Sequence, residues 1–406
     1  MNALLKLPSN IKQYLLITAN YWAFTLTDGA LRMLVVLYFY QLGYSPLQIA
    51  MLFIFYEIFG MVTNLVGGWL GATMGLNNTM NIGLALQLIA LSMLLASPQM
   101  LSVFWVMAAQ AISGIAKDLN KMSAKSAIKL LVPTNAQSTL YQWVALLTGS
   151  KNTLKGIGFF LGGLLLSLYG FQMAILIMLM TLLAVWLSSL WLLKKDLGKS
   201  KAKPKFKHLF AKKPAINILA AARLFLFAAR DIWFVVALPV YLSQSFGWSH
   251  STVGAFLALW VIGYGGIQAI TPQLTGKKQN QIPDGRSVFK WALPLAATTI
   301  LIAAALHFNI LPIYSLIIGL TLFGVFFAIN SSLHSYLIVS YASQQSVSMD
   351  VGFYYMANAF GRLLGTLLSG WVFQHSGLEA CLWVSATFIT TAAIISTALP
   401  TNTSPN

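Results

Sequence analysis

The chain has 406 residues, of which 58% are hydrophobic and 8% are charged, whereas soluble domains carry about 25% charged residues. Its formal net charge is +17, but the basic residues lie between or inside long apolar stretches, which argues against nucleic-acid binding. The single cysteine, Cys381, excludes an intramolecular disulfide and a metal site built from several thiolates. The composition therefore excludes an ordinary soluble enzyme and favours a protein embedded in a bilayer.

Apolar stretches of roughly 20 residues recur along the chain, and each is long enough to cross a bilayer as a helix. The first of them lacks a small-residue cleavage site, which predicts a retained span and not a signal peptide. Turn signals such as Gly170 and Ser376-Gly377 separate neighbouring stretches. We place twelve α-helical spans at residues 14–40, 47–71, 79–97, 102–122, 139–166, 172–193, 215–242, 252–275, 289–307, 311–337, 350–374 and 378–399.

The basic residues outside the spans predict the topology. Lysine and arginine precede span one and follow spans four, six and eight, while the alternate connections carry neither. Both termini are therefore predicted to face the cytoplasm. Residues 194–213 hold nine lysines and one acid, and form the predicted cytoplasmic linker between residues 1–193 and 214–406. We expect this linker to face lipid headgroups, with a regulatory interaction as the alternative.

An internal repeat relates the two halves of the chain. Its matches lie 203 or 204 positions apart: Gly43-Tyr44-Ser45 with Gly247-Trp248-Ser249, Gly158 and Gly162 with Gly361 and Gly365, and Asp28 with Asp231. Such a repeat predicts two six-helix bundles related by an axis along the membrane normal. This arrangement resembles that of the major facilitator transporters, and the predicted fold class is an all-α membrane protein of that kind.

Ionisable residues inside the predicted spans are unusually many, although each costs at least ~2.5–3.5 kcal/mol near a helix centre. Basic residues outnumber acids by eight to at most five. The acids are Asp28, Glu57, Asp118 and Asp231, with Asp350 nearer a span end; the bases are Arg32, Lys117, Lys121, Lys151, Lys155, Arg223, Arg230 and Arg362. A surplus of buried cations in a closed apolar bundle is unfavourable, so the count predicts a water-filled cavity that receives a multiply charged anion.

Helical spacing groups these charges. Asp28 and Arg32 are four residues apart and can pair locally, which is as good an explanation of them as a functional role. Lys117 and Lys121 continue at the same spacing into Lys125 and Lys129, and form one basic stripe. We assign anion binding to these bases and to nearby amide and tyrosine side chains: Tyr21, Arg32, Lys117, Asn120, Lys121, Lys151, Asn152, Lys155, Arg230 and Arg362.

Enzyme motifs are missing from the sequence. Gly198-Lys199-Ser200 imitates the end of a phosphate-binding loop, but Leu193 stands where the motif requires glycine. No cofactor or metal is therefore expected, and transport is predicted to use an ion gradient. Carboxylates that change protonation are the candidates for proton coupling: Asp28, Glu57, Asp118 and Asp231. Glu57 is unusual because no base lies within one helical turn of it; a protonated or paired structural carboxyl is the alternative.

Three runs of residues, at 20–32, 113–126 and 147–152, resemble the ArsJ-type organoarsenical efflux permeases, and the likeness extends over essentially the whole chain. The middle run, from Ser113 to Ser126, is too long and too charged to be generic membrane sequence. Gly156, Gly158, Gly162 and Gly163 are also similar to the small-residue motif of span five in drug/proton antiporters. The charged gate motif between spans two and three is degenerate: Gly68 and Gly75 remain, but Ala72, Thr73, Leu76 and Asn77 replace its charges.

The resemblance implies a substrate, 1-arseno-3-phosphoglycerate, and a functional partner, the glyceraldehyde-3-phosphate dehydrogenase that makes it from arsenate. Export followed by breakdown outside the cell would give arsenate resistance. A pentavalent oxyanion suits lysine and arginine donors, whereas trivalent arsenic would require several thiolates. We expect a monomer in the bilayer. The alternatives are export or exchange of another phosphorylated organic anion and, from a different class, a membrane receptor that transports nothing.

Overall fold

The computed structural model describes residues 8–44, 52–133, 135–193, 197–199, 213–248, 250–275, 282–344 and 347–401. Every regular element within these ranges is helical, which confirms the predicted fold class. Most of the predicted linker 194–213 lies outside the described residues, as do Ser45 and Ser249 of the predicted repeat.

The described residues of the first half contain five α-helices and a short 3-10 helix, Pro98–Met100. The α-helices are α1 (Ser9–Gln41), α2 (Ile54–Met74), α3 (Leu76–Leu94), α4 (Val103–Leu131) and α5 (Gln137–Leu192). The last of these consists of two segments that meet at Gly170, whose φ of 73° is open to glycine and strained for other residues. The turn predicted at this position is confirmed, and α5 supplies the fifth and sixth spans.

Six α-helices lie within the described residues of the second half. They are α6 (Pro214–Phe234), α7 (Ala237–Phe246), α8 (His250–Leu274), α9 (Gly285–His307), α10 (Pro312–Tyr341) and α11 (Val347–Ser396). Together α6 and α7 make one apolar stretch, Pro214–Phe246, and α11 consists of two segments that meet at Gly377, with φ 74°. By length and composition, seven helices of the described chain can cross a membrane, and the stretches containing α5 and α11 are long enough to cross it twice.

The described helices form two compact units. The first contains residues of Met1–Trp143, Ser150–Ala211 and Ala342–Met356, and the second contains residues of Val144–Gly149, Lys212–Tyr341 and Ala357–Asn406. Each unit therefore includes a short piece from the other half of the sequence. The division into residues 1–193 and 214–406 stays a prediction.

Close helix packing through glycine occurs in both units. In the first unit, Gly158 and Gly162 of α5 face the carbonyls of Leu26 and Ala30 on α1, so closely that an added Cβ would overlap them. In the second unit, Gly361 and Gly365 of α11 face the carbonyls of Leu224 and Ala228 on α6 in the same way. Small residues allow such contacts between helices inside a bilayer. The glycines of the predicted repeat thus have matching structural roles.

The packing also corrects the register of the repeat. The contacting glycines are 203 positions apart, but their partners Leu26 and Leu224 are 198 positions apart. Five residues is more than one helical turn, so Asp28 and Asp231 do not occupy matching positions. At the observed offset, Arg32 matches Arg230. At this matched position both units have an arginine, but its acidic partner is Glu57 in the first unit and Asp231 in the second.

Candidate anion-binding and proton-coupling site

The first unit brings five of the predicted site residues into one ion-pair group. Arg32 Nη2 lies 3.5 Å from Glu57 Oε1, and Lys117 Nζ lies 4.0 Å from Glu57 Oε2. The same lysine lies 3.6 Å from Asp118 Oδ2, and Lys121 also pairs with Asp118. Glu57 has no base on its own helix, and its partners come from α1 and α4. These contacts join the carboxylates of α2 and α4 through a single lysine.

Asp28 does not form the ion pair with Arg32 that their four-residue spacing predicted as one possibility. It accepts a hydrogen bond of 2.7 Å from the Tyr56 hydroxyl, while Arg32 turns to Glu57. The Tyr56 ring lies 3.8 Å from Lys117 Nζ and 5.3 Å from the Arg32 guanidinium carbon. Cations are attracted to the face of an aromatic ring at such distances. Tyr56 is buried and therefore connects Asp28 to the rest of the group, a role that the sequence did not indicate.

Lys125 continues the predicted basic stripe but was not among the predicted site residues. Its side chain is buried and donates a hydrogen bond to the Tyr355 hydroxyl. Lys121 and Lys125 lie 4.8 and 4.9 Å from the centroid of the same Tyr355 ring. This tyrosine is in the first turns of α11, in the piece that belongs to the first unit. The four-residue spacing of the lysines was the signal that could have included Lys125.

The other predicted residues of this unit lie on α1, α4 and α5. Asn120 is buried and donates to the Ala116 carbonyl of its own helix, and the buried Tyr21 hydroxyl has no hydrogen-bond partner among the described residues. Lys151, Asn152 and Lys155 are partly buried on α5. The ammonium of Lys155 lies 5.6 Å from the centroid of the Phe159 ring.

The second unit holds a smaller group made with arginine. Asp231 is fully buried on α6 and accepts hydrogen bonds from Arg230 Nε at 2.6 Å and from Arg362 Nε at 3.1 Å. The two guanidiniums therefore bind opposite oxygens of one carboxylate. Hydrogen bonds between ionised partners are the strong ones in proteins, and both arginines are held in fixed orientations.

Arg223 is a further buried base of this unit that the sequence did not place in the site. Its Nε donates to Asn358 Oδ1 at 2.8 Å, and its Nη1 donates to the Ser331 carbonyl at 3.2 Å and to the Ser331 hydroxyl at 3.1 Å. The guanidinium carbon lies 3.9 Å from the Phe227 ring centroid. Its spacing of seven residues to Arg230 was the available signal, because residues two turns apart share a helix face.

Among the described residues, the bases outnumber the carboxylates by one in each ion-pair group. Three bases contact Glu57 and Asp118 in the first unit, and two contact Asp231 in the second. Counting Asp28, which joins the first group through Tyr56, and Lys125, which joins it through Tyr355, keeps this surplus at one. Charge-assisted hydrogen bonds from lysine and arginine are suited to oxyanions, and carboxylates inside a membrane are suited to carrying protons. The geometry is thus compatible with both an anion and a proton as ligands.

The family model described as the Major Facilitator Superfamily matches residues 16–289 and 225–406. The chain belongs to the Major Facilitator Superfamily, and it is a multi-pass membrane transporter by class. No curated protein sequence matches the chain.

Solved structures show the same fold at low sequence identity. The human organic anion transporter MFSD10 (TETRAN) is 16% identical with a TM-score of 0.77, over 96% of this chain and 100% of that one. A bacterial homologue of the iron transporter ferroportin, in an outward-facing state, is 14% identical with a TM-score of 0.77, over 96% and 99%. The Escherichia coli fucose:proton symporter FucP is 13% identical with a TM-score of 0.75, over 96% and 99%. Their similarity to this chain concerns the fold, and the three are described as transporters, or homologues of transporters, of chemically different substrates.

Proposed function

We propose that this transporter exports an organic polyanion in exchange for protons, by alternating access. The observation that carries the proposal is the surplus of bases over carboxylates in both ion-pair groups, inside helices that a lipid bilayer would surround. Uncompensated cations are unfavourable in such surroundings, and an anionic substrate would compensate them. A neutral sugar or a metal cation would leave the surplus in place.

The proposed substrate is 1-arseno-3-phosphoglycerate, with arsenate resistance as the physiological outcome. The resemblance of residues 20–32, 113–126 and 147–152 to the ArsJ-type permeases names this anion, and the middle run supplies Lys117, Asp118 and Lys121 of the first group. Cys381 is buried and is the chain's single cysteine, which disfavours a thiolate site for trivalent arsenic. A glyceraldehyde-3-phosphate dehydrogenase would supply the substrate on the cytoplasmic side of a bacterial inner membrane.

Proton coupling is proposed to reside in the first unit, with Glu57 as the leading candidate. Its side chain is 30% exposed and lies between Arg32 and Lys117, whereas Asp118 is buried against two lysines. Protonation of Glu57 removes a counter-charge from both bases, so a proton entering from outside would change the affinity of the group for the anion. Asp28, Asp118 and Asp231 are the other candidates.

The decisive experiment is arsenic transport by everted membrane vesicles that contain the full-length protein. With arsenate, phosphoglyceraldehyde, NAD and the dehydrogenase present, we expect arsenic to accumulate inside the vesicles, and an imposed pH gradient to increase the rate. Omitting the dehydrogenase is the matched control, because arsenate alone is then the only arsenic species. Equal accumulation with and without the dehydrogenase would contradict the proposed substrate.

The competing anion and receptor hypotheses have separate tests. Competition by 3-phosphoglycerate as strong as that of the arsenical would favour a general exporter of phosphorylated anions. Purified protein in liposomes that moves neither compound would favour a receptor that transports nothing. The human organic anion transporter among the similar structures is compatible with the first of these alternatives, at the level of the fold.

A further inference from the structure

Two arginines of α6 approach one aromatic ring of the second unit. The Arg223 guanidinium carbon lies 3.9 Å from the centroid of the Phe227 ring, and that of Arg230 lies 4.9 Å from the same centroid. Since both distances end at one point, the two guanidinium carbons are at most about 9 Å apart. Phe227 lies four residues after Arg223 and three before Arg230, so all three side chains share one helix face. The ring fixes the spacing of the two cations.

Uncharged side chains bind Arg223, the more buried of these two arginines. Arg223 is buried, and Asn358 and Ser331 present oxygen atoms to it. Both partners belong to helices of the same unit, α11 and α10. These hydrogen bonds fix the orientation of the guanidinium, and neither Asn358 nor Ser331 contributes a negative charge.

A run of buried polar residues on α10 adjoins this arginine. His334 follows Ser331 by three residues, so it lies on the face of α10 that contacts Arg223. His334 is 1% exposed, and its Nδ1 has no hydrogen-bond partner in the described chain. The Ser335 hydroxyl is buried with no partner there either. Buried polar atoms in proteins are nearly always satisfied, so these atoms indicate a ligand or ordered water beside Arg223.

Arg230, the second of the two arginines, differs from Arg223 in its surroundings. It shares the Asp231 carboxylate with Arg362, and the rings of Phe327 and Phe234 lie 5.5 and 5.8 Å from its guanidinium carbon. The side chains of Arg230 and Arg362 are 15% and 32% exposed, in contrast to the buried Arg223. Accessibility therefore decreases from Arg362 through Arg230 to Arg223, along α11 and α6.

We infer that Arg223 and Arg230 form a two-point site for an anion that carries charge at both ends of a short carbon chain. This inference rests on the proposed anion transport and assigns the residues that would bind the two ends of the substrate. One end binds Arg223 and the orphan groups of His334 and Ser335, and the other end binds Arg230. A single inorganic oxyanion occupies one point only, because Phe227 lies between the two arginines along the helix. A three-carbon skeleton with two anionic ends is short enough to contact both.

The test compares two probes of equal carbon number on purified full-length protein in lipid nanodiscs. 3-Phosphoglycerate carries a carboxylate and a phosphate, while glyceraldehyde 3-phosphate carries the phosphate alone. We expect isothermal titration calorimetry to show about tenfold or tighter binding of 3-phosphoglycerate, the contribution of one charge-assisted contact. In Arg223→Gln the preference should disappear, while the phosphate-only probe still binds.

Three comparisons make the result decisive. Arg286→Gln, which removes an exposed arginine of the same unit, should keep the full preference. If Arg223→Gln does not fold, Phe227→Leu retains both arginines and should reduce the preference to a few-fold. An unchanged preference in every folded variant, or equal binding of the two probes by the unmodified protein, overturns the two-point site. Failure of the unmodified protein to bind either probe also overturns the two-point site, whereas the proposed transport is tested separately by arsenic accumulation in the vesicles.

Discussion

In the first unit the carboxylates of Asp28, Glu57 and Asp118 lie among lysines and one arginine, whereas in the second unit the carboxylate of Asp231 lies between two arginines. The two units nevertheless pack alike. A pair of glycines on one helix faces the carbonyls of another in both, and at the offset of that packing Arg32 matches Arg230. The helix packing is therefore shared, and the charged side chains placed on it differ.

The difference concerns which groups can change their charge. Arginine stays protonated and presents a planar fork to an oxyanion, while lysine is a compact charge that releases its proton more readily when buried. Carboxylates beside lysine in a membrane can exchange protons as their surroundings change. We therefore interpret the second unit as the part with a permanent attraction for the anion, and the first unit as the part whose charge varies with pH.

The largest effect is expected for Asp231→Asn. The substitution removes the carboxylate that Arg230 and Arg362 share, and loss of one partner from a buried ion pair destabilises by about 3–5 kcal/mol. Thermal unfolding of the purified protein should show a clearly lower Tm. Glu379→Gln is the control, because that carboxylate is exposed and pairs with His307. Equal Tm shifts in both variants would show that the arginines do not depend on Asp231.

Lys117→Ala should abolish export while membrane expression is retained. This lysine contacts both Glu57 and Asp118, so its loss separates the two carboxylates and removes a cation for the substrate. We expect the export rate to decrease at least about tenfold, with partial recovery in Lys117→Arg. Lys151→Ala tests one of the predicted site lysines on α5. Normal export by both alanine variants would remove these residues from the site.

Glu57→Gln should uncouple export from the pH gradient. The amide cannot exchange a proton and no longer neutralises Arg32 and Lys117, so the anion should bind but its flux should lose its proton dependence. The measurement is the ratio of export rates with and without an imposed gradient. Asp28→Asn, whose partner is the neutral Tyr56, should change this ratio less. If the ratios of both Glu57→Gln and Asp28→Asn equal that of the unmodified protein, the coupling role belongs to Asp118 or Asp231.

The smallest effect is expected for Tyr56→Phe. It removes the hydrogen bond to Asp28 and keeps the ring beside Lys117 and Arg32, so the stability should decrease by only about 0.5–1.5 kcal/mol. Tyr56→Leu also removes the ring and should reduce export further. Identical export rates in the phenylalanine and leucine variants would show that the ring does not orient the cations.

Helix positions could be predicted from the sequence because apolar runs of membrane length and glycine turns are local features. Gly170 and Gly377 were expected to separate spans, and each has the positive φ of a joint between two helical segments. The partners of the charged groups were not predictable in this way. The bases around Glu57 come from α1 and α4, and the hydroxyl beside Lys125 comes from Tyr355, 230 residues away. Spacing along one helix gives no information on such contacts.

The register of the repeat failed for a related reason. Identical residues aligned Asp28 with Asp231 at an offset of 203 positions. The helix contacts depend instead on where glycines allow close approach, and the residues of α1 and α6 that these glycines contact are offset by 198 positions, five fewer. Arg223 was counted among the interior bases but was not assigned to the site. Its contacts with Ser331 and Asn358 come from α10 and α11, which spacing along α6 does not reveal.

One stripe of α11 carries two contacts to charged residues of α6. Asn358 and Arg362 are four residues apart, and they contact Arg223 and Asp231 respectively. Because the helix is continuous between them, a rotation about its axis displaces both contacts in the same movement. A residue inserted or deleted between Asn358 and Arg362 would turn one side chain by about 100° relative to the other while leaving every charge in the chain unchanged.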